Sequence, residues 1–223
     1  VKQQFVQEKN DVSKKLSRYV KELMGDTPIN LNSPEQMSWV VYSRKPIQKE
    51  LWANSFTPYM NKADFNKTVR EKSSILFKTN AIKCNSCNGS GQVRKTKKNG
   101  SPYSKPSKCK DCNTLGYNFI NTDQVAGLKF NAPSAKWVSA NGFKVSKANL
   151  SLLQSIAKGR HMTEAVEFLS NLQRLSALDT YLSSFVEGIE TYTKADGMLH
   201  VRLLQHRTST GRFSGADPNM QNM

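Results

Sequence analysis

The chain has 223 residues, with 33 Lys and Arg against 17 Asp and Glu, a formal charge of +16 and 37% apolar residues. This allows one large domain or two small ones, with a modest core under a strongly basic surface. No apolar run could span a bilayer, and Val1-Lys2-Gln3-Gln4 leads into an amphipathic stretch, so neither a transmembrane helix nor a signal peptide is expected. A chain opening on Val1 is expected to be a piece of a longer polypeptide. The charge asks for a polyanionic partner, with nucleic acid the first candidate. A membrane surface comes second, because no basic amphipathic helix with a broad aromatic face stands out.

Residues 1–24 predict a helix, with Phe5, Val12, Leu16, Tyr19, Leu23 and Met24 on one stripe and Gly25 as its C-cap. Ser33, Pro34 and Gln36 then form a capping box with proline at the first helical position, opening a helix that carries Met37, Val40 and Val41 inward. Over 46–142 periodicity weakens, and this stretch reads as an insertion of strand and loop around its own small metal-held core. Helical pattern returns at Ser146, with Leu150, Leu153 and Ile156 running to Gly159. A longer helix starts near Thr163 and carries Ala165, Val166, Leu169, Leu172, Leu175, Leu182, Phe185, Val186 and Ile189. Asp196-Gly197 is a turn, and Met198 to His206 reads as a strand. His161, His200 and His206 show no metal spacing.

All four cysteines, Cys84, Cys87, Cys109 and Cys112, fall in two C-x-x-C pairs separated by 21 residues. Such turns close a tetrahedral shell of four thiolates with no open position, which predicts structural zinc, not catalytic zinc. The competing uses are a redox dithiol or a disulfide pair. Without a secretion signal the thiols point to a reducing compartment, and the location expected is cytoplasmic. Gly89, Gly91 and Gly116 let backbone amides fold toward the sulfurs, and Cys84-x-x-Cys87-x-Gly89-x-Gly91 resembles the knuckles of the DnaJ-type zinc region and of zinc ribbons. Between the pairs lie Arg94, Lys95, Lys97, Lys98, Lys105 and Lys108 and no acidic residue.

The segment Thr208-Ser209-Thr210-Gly211-Arg212-Phe213-Ser214-Gly215-Ala216-Asp217-Pro218-Asn219-Met220-Gln221-Asn222 resembles the T-x-T-G-R-[LF]-S-S-x-x-P-N-L-Q-N motif of family A (DNA polymerase I-like) DNA polymerases. Ile29-Asn30-Leu31-Asn32-Ser33-Pro34-Glu35-Gln36-Met37 is similar to the F-N-[IL]-N-S-x-x-Q-L that opens that family's thumb, and the helix through Arg174 to Tyr181 is similar to its returning thumb helix. The sequence departs where Ala177 and Asp179 stand in place of lysines and where Gly215-Ala216 replaces a Ser pair. The resemblance covers roughly 1–45 and 144–223. It implies an α+β fold: 1–45 and 143–193 as thumb, 46–142 as a zinc-binding insertion, and 194–223 as the start of the palm. It also implies a phage origin, because phage members carry accessory thumb insertions, and hence a bacterial host cytoplasm.

The resemblance further implies a part of a DNA-directed DNA polymerase that binds primer–template DNA. Its catalytic carboxylates and Mg2+ lie outside this chain, on the remaining palm and fingers. No carboxylate pair here has the spacing for two metals, and Asp196 and Asp217 read as turn residues. Arg212, a planar donor fork, suits the minor-groove acceptors present in every base pair. Asn219 and Gln221 can donate nearby, and Thr208 and Ser214 to phosphates. Gly211 admits close approach, and Thr210 and Asn222 complete the motif. Arg94, Lys95, Lys97 and Lys98 are expected to grip DNA, with Tyr103 able to lie against a sugar or base. Docking of a processivity partner is the competing use of the insertion, as a host thioredoxin docks on the thumb insertion of some phage members. The alternative for the whole chain is a non-enzymatic zinc-ribbon nucleic-acid-binding protein.

Overall fold

The computed structural model describes residues 2–97, 100–193, 196–200, 202–204 and 211–216. Helix and strand are mixed, compatible with the α+β class. Two compact units form, Val1–Ser17 with Ala157–Met223, and Arg18–Ile156.

The apolar stripe of the first helix becomes α1 (Lys2–Met24), where Val12, Leu16, Val20 and Met24 are buried. Gly25 follows in the left-handed conformation at φ 79°, as the C-cap reading requires. Ser33 then caps α2 (Pro34–Tyr42) by accepting from the Gln36 amide. The reciprocal half of the capping box differs from expectation. Gln36 Oε1 accepts from the Asn30 amide at 2.7 Å, because Ser33 N–H is already bonded to Asn30 O at 3.0 Å.

In the Arg18–Ile156 unit, Val40, Val41 and Tyr42 of α2 are buried with Trp52, Phe65, Phe130 and Phe143. Burial pushes the Tyr42 hydroxyl up in pKa, and it donates to Lys144 O at 2.9 Å. Trp52 meets Phe143 edge-on at 5.4 Å between centroids and donates its indole N–H to Gly142 O. The sequence reading missed two helices here. They are α3 (Lys49–Trp52) and α4 (Lys62–Lys72), the latter capped by Asn61, whose side chain accepts from the Asp64 amide. β1 (Arg44–Pro46) pairs antiparallel with β2 (Ser73–Ile75).

A long ribbon leads away from this core. β3 (Phe77–Lys83) and β6 (Tyr117–Val125) are antiparallel, with an irregular step between Phe77 and Thr79, and enclose β4 (Gln92–Val93) paired with β5 (Ser107–Lys108). Both ribbon ends are tied to the core by backbone bonds. Leu76 N–H donates to Ser43 O, Ala126 N–H to Leu76 O, Gly127 N–H to Leu23 O and Leu128 N–H to Val40 O, all at 2.8–2.9 Å. β7 (Val138–Ser139) and β8 (Gly142–Phe143) close a short hairpin, and α5 (Lys147–Gly159) follows with Leu150 and Leu153 buried.

The other unit is built on α6 (Thr163–Thr180), which buries Ala165, Phe168, Leu169, Leu172 and Leu178. The expected long helix continues through a π-helical stretch, Tyr181–Val186, into α7 (Glu187–Tyr192). Three ion pairs lace α1 to it: Glu8 with Arg174 through both carboxylate oxygens at 2.6 and 2.8 Å, Lys9 with Asp179 at 2.7 Å, and Lys2 with Glu190 at 2.5 Å. The Arg174 hydrogen bond holds the Glu8 carboxyl below its ordinary range. Asp179, which stands where the resemblance calls for lysine, is thus occupied within the protein. Of the expected strand at Met198–His206, Arg202–Leu204 forms β9, antiparallel to β10 (Ser214–Ala216). Gln205 and His206 lie outside the described residues. Asp196 accepts from the Met198 amide at 2.9 Å and from His200 at 2.7 Å, a turn role that lowers its pKa, the His200 bond foremost. No described helix is long and apolar enough to cross a membrane.

Candidate metal centre and nucleic-acid interface

Each C-x-x-C pair sits on a tight knuckle at the far end of the ribbon, and the two knuckles nearly repeat one another. Asn88 and Asn113, the residues after the second cysteines, have φ 48° and 49°. Gly89 and Thr114 follow at φ 87° and 71°, then Gly91 and Gly116 at 70° and 79°. The backbones cross reciprocally, Cys84 N–H to Gly116 O at 2.9 Å and Cys109 N–H to Gly91 O at 3.0 Å. Only glycine permits this crossing. A Cβ on Gly91 would lie 2.3 Å from Thr114 O, and one on Gly116 would lie 2.4 Å from Gly89 O. Ser86 and Asp111, equivalent positions in the two knuckles, hydrogen-bond to each other.

The crossing brings all four buried Sγ atoms within 4.8 Å of one another. Cys84 and Cys109 are 3.9 Å apart and Cys87 and Cys112 3.6 Å. A tetrahedron with metal–sulfur bonds of about 2.3 Å has edges of about 3.8 Å, so the spacing fits a metal ion, and a disulfide would be far shorter. Burial works to raise the Cys87 thiol, but the Gly91 and Gly89 amides and the neighbouring thiols outweigh it and bring it down to about 7. Cys112 is pushed up to about 12, by burial above all, with the neighbouring sulfurs adding and the Gly116 amide opposing. One thiolate therefore forms readily and the next resists until a cation balances the charge. Among the described residues this is the one group of three or more potential ligands close enough for a metal ion, so the four cysteines can hold one.

The knuckles leave one strain unrelieved. Thr114, β-branched, holds the left-handed conformation that its counterpart Gly89 takes freely. Thr114→Gly is expected to stabilise the lobe by about 0.5–1 kcal/mol, the relief of a left-handed β-branched residue less the added chain entropy of glycine. A chelator titration followed by protease sensitivity of the lobe should show a higher midpoint.

Between the knuckles the chain rises as a basic hairpin. Tyr103 N–H donates to Lys95 O at 3.0 Å, and Lys97 closes the tip by donating to Ser101 O at 2.8 Å and accepting from Gly100 N–H at 2.9 Å. Arg94, Lys95, Lys97, Lys105 and Lys108 are all exposed on it, and Lys98 lies outside the described residues. Tyr103, half exposed at 51%, carries the Lys97 ammonium 5.7 Å from its ring centroid. Lys83 and Lys110 are exposed on the same lobe. They belong to the same positive surface, although the sequence reading did not single them out.

Of the C-terminal motif, Gly211 has φ 70° and Arg212 is exposed. Ser214 pairs with Leu204 and the buried Gly215 with Leu203. Thr208, Thr210, Asn219, Gln221 and Asn222 lie outside the described residues.

No family model matches the chain. DNA polymerase I of Streptococcus pneumoniae serotype 4 is 30% identical over 110 residues, 45% of this chain and 12% of the relative. DNA polymerase I of Lactococcus lactis subsp. cremoris is 31% identical over 109 residues, 44% of this chain and again 12% of the relative. The chain is thus similar to DNA polymerase I over under half its own length, and the match spans only a small part of those relatives.

Proposed function

We propose that this chain is the thumb and first palm strands of a family A DNA-directed DNA polymerase, with a zinc-held lobe inserted in the thumb. The similarity to DNA polymerase I carries the reading. The motif at 208–222 and the charge of +16 support it. On this reading 1–45 and 143–193 are thumb, 46–142 is the insertion and 194–223 begins the palm. The carboxylates that hold Mg2+ for nucleotidyl transfer stand outside this chain.

Positioning is what these residues contribute. A polymerase must hold any sequence yet sense the shape of the terminal base pair. The minor groove serves this, because purine N3 and pyrimidine O2 present acceptors in every pair. Arg212 donates to such acceptors at the primer end. Gln221 and Asn219 support it nearby, and Thr208 and Ser214 reach phosphates. The four cysteines hold zinc, which folds the lobe and leaves no position for water or substrate. Arg94, Lys95, Lys97 and Lys98 then meet the duplex phosphates upstream.

In the complete enzyme, Arg212→Ala is expected to slow incorporation and blunt discrimination between matched and mismatched primer ends. The loss should be that of one bidentate groove contact, about 1–3 kcal/mol or about fivefold to 150-fold in rate. Affinity for duplex away from the end should barely change. Equal extension rates from matched and mismatched primers in variant and parent would remove Arg212 from the site.

A further inference from the structure

The ribbon that carries the metal lobe is gripped along its outer edge by the residues that end α1. Asp26 N–H donates to Thr79 O at 2.8 Å, and Thr27 N–H donates to Thr79 Oγ1 at 3.1 Å. The hydroxyls of Thr27 and Thr79 are also hydrogen-bonded. Two residues further along the strand, the Asp26 carboxylate Oδ2 accepts from Ala81 N–H at 2.9 Å. Gly25 makes room for this, because a Cβ there would stand 2.2 Å from Thr79 O. A helix that needed only a C-cap would stop at Gly25. Here the next two residues act as a short third strand, and an exposed aspartate uses an oxygen on an edge amide that water could otherwise satisfy.

We propose that Gly25–Thr27 is a clasp that fixes the direction in which the metal lobe leaves the body, with Asp26 its positioning residue; this rests on the reading of the lobe as a nucleic-acid grip. The backbone bonds at the ribbon base and at Thr79 leave the strand beyond free to bend, whereas the Ala81 bond carries the hold two residues further toward the lobe. The lever is long enough for that difference to count. Thr79 to Cys84 is five strand residues, about 17 Å, so a 20° swing at the clasp moves the metal centre by about 6 Å. A lysine contact to a phosphate does not survive such a displacement. A swinging lobe keeps every positive charge but presents them at a lower effective concentration to a duplex already held elsewhere. The clasp therefore governs how long the enzyme stays on the duplex, not how strongly the lobe is charged.

The test uses the complete polymerase as parent, Asp26→Ala, and Asp26→Asn, which keeps an acceptor oxygen. Spin labels carried on non-natural residues at the exposed positions Asn32 and Lys110 spare the four cysteines. The distance distribution between them should be narrow in the parent and Asp26→Asn, and broad in Asp26→Ala. Products made in a single binding event should be at least threefold shorter for Asp26→Ala alone, with zinc content and the salt dependence of primer–template affinity unchanged. A distribution that stays narrow in Asp26→Ala overturns the clasp. So does a broad one with unaltered product length, provided that neutralising Arg94, Lys95, Lys97 and Lys98 does shorten products. If that fourfold variant also leaves product length and salt dependence unaltered, the grip reading itself has failed and this proposal falls with it.

Discussion

Cys109→Ser is expected to remove the metal and the fold of the lobe together, while the core around α2 stays intact. In the knuckle lobe the buried cluster consists of the four cysteine side chains, with Val93 alone packed against it. So little apolar area cannot offset the entropy of ordering so short a segment, and on the zinc reading the metal supplies what the core lacks. A serine hydroxyl keeps the shape of the cysteine but supplies no thiolate. If the four cysteines hold zinc as proposed, the variant should lose that one equivalent, and 84–117 should become open to protease. Trp52, in the α2 core and outside the lobe, should keep its parent fluorescence. A variant that retained a full equivalent of zinc and the parent's protease resistance would show that the lobe has another source of stability.

What could be read from the sequence, and what could not, divides by the range of the interaction. The four-cysteine cluster was legible because its chemistry is local: each pair fixes two sulfurs through one tight turn, and the glycines after them mark the backbone crossing. The first helix and its Gly25 cap were legible for the same reason, since a 3.6-residue stripe and a left-handed glycine are both written within a few positions. α3 and α4 were missed because neither buries a full apolar stripe. Trp52 and Phe65 both pack against Phe56 in the connection between the two helices, and Trp52 also meets the distant Phe143, so the one helical signal was Asn61 three residues before Asp64. The clasp was illegible in principle. Nothing about Gly25-Asp26-Thr27 announces that its partner is Thr79, more than fifty residues away, because hydrogen bonds to a strand edge carry no sequence code on either side. Similarly, Asp179 looked like a departure from the thumb pattern until its partner Lys9 appeared across the helix pair.

The largest effect on binding is expected from neutralising the basic hairpin. Phosphate contacts release condensed counterions, so each one adds about 0.9 to the slope of log K against log salt. If Arg94, Lys95, Lys97 and Lys98 each meet a phosphate, making all four alanine should flatten that slope by up to about 3.6. At low salt the parent should bind primer–template far more tightly than the variant. Raising salt fourfold, from 50 to 200 mM, should erase up to about a hundredfold of that advantage, since 0.6 log units multiplied by 3.6 is about 2.2. The cysteines are untouched, so zinc content should not change, and any loss is then one of charge and not of fold. The Lys97–Tyr103 contact goes with the substitution, which frees the ring but adds no charge. Salt dependence separates this from the docking of a protein partner on the same lobe. A protein interface would leave the primer–template slope of the purified enzyme where it was. Affinity measured across salt, beside product length in a single binding event, therefore decides the use of the lobe. A flatter slope with shorter products supports the grip on DNA, and an unaltered slope with unaltered length gives the surface to a protein.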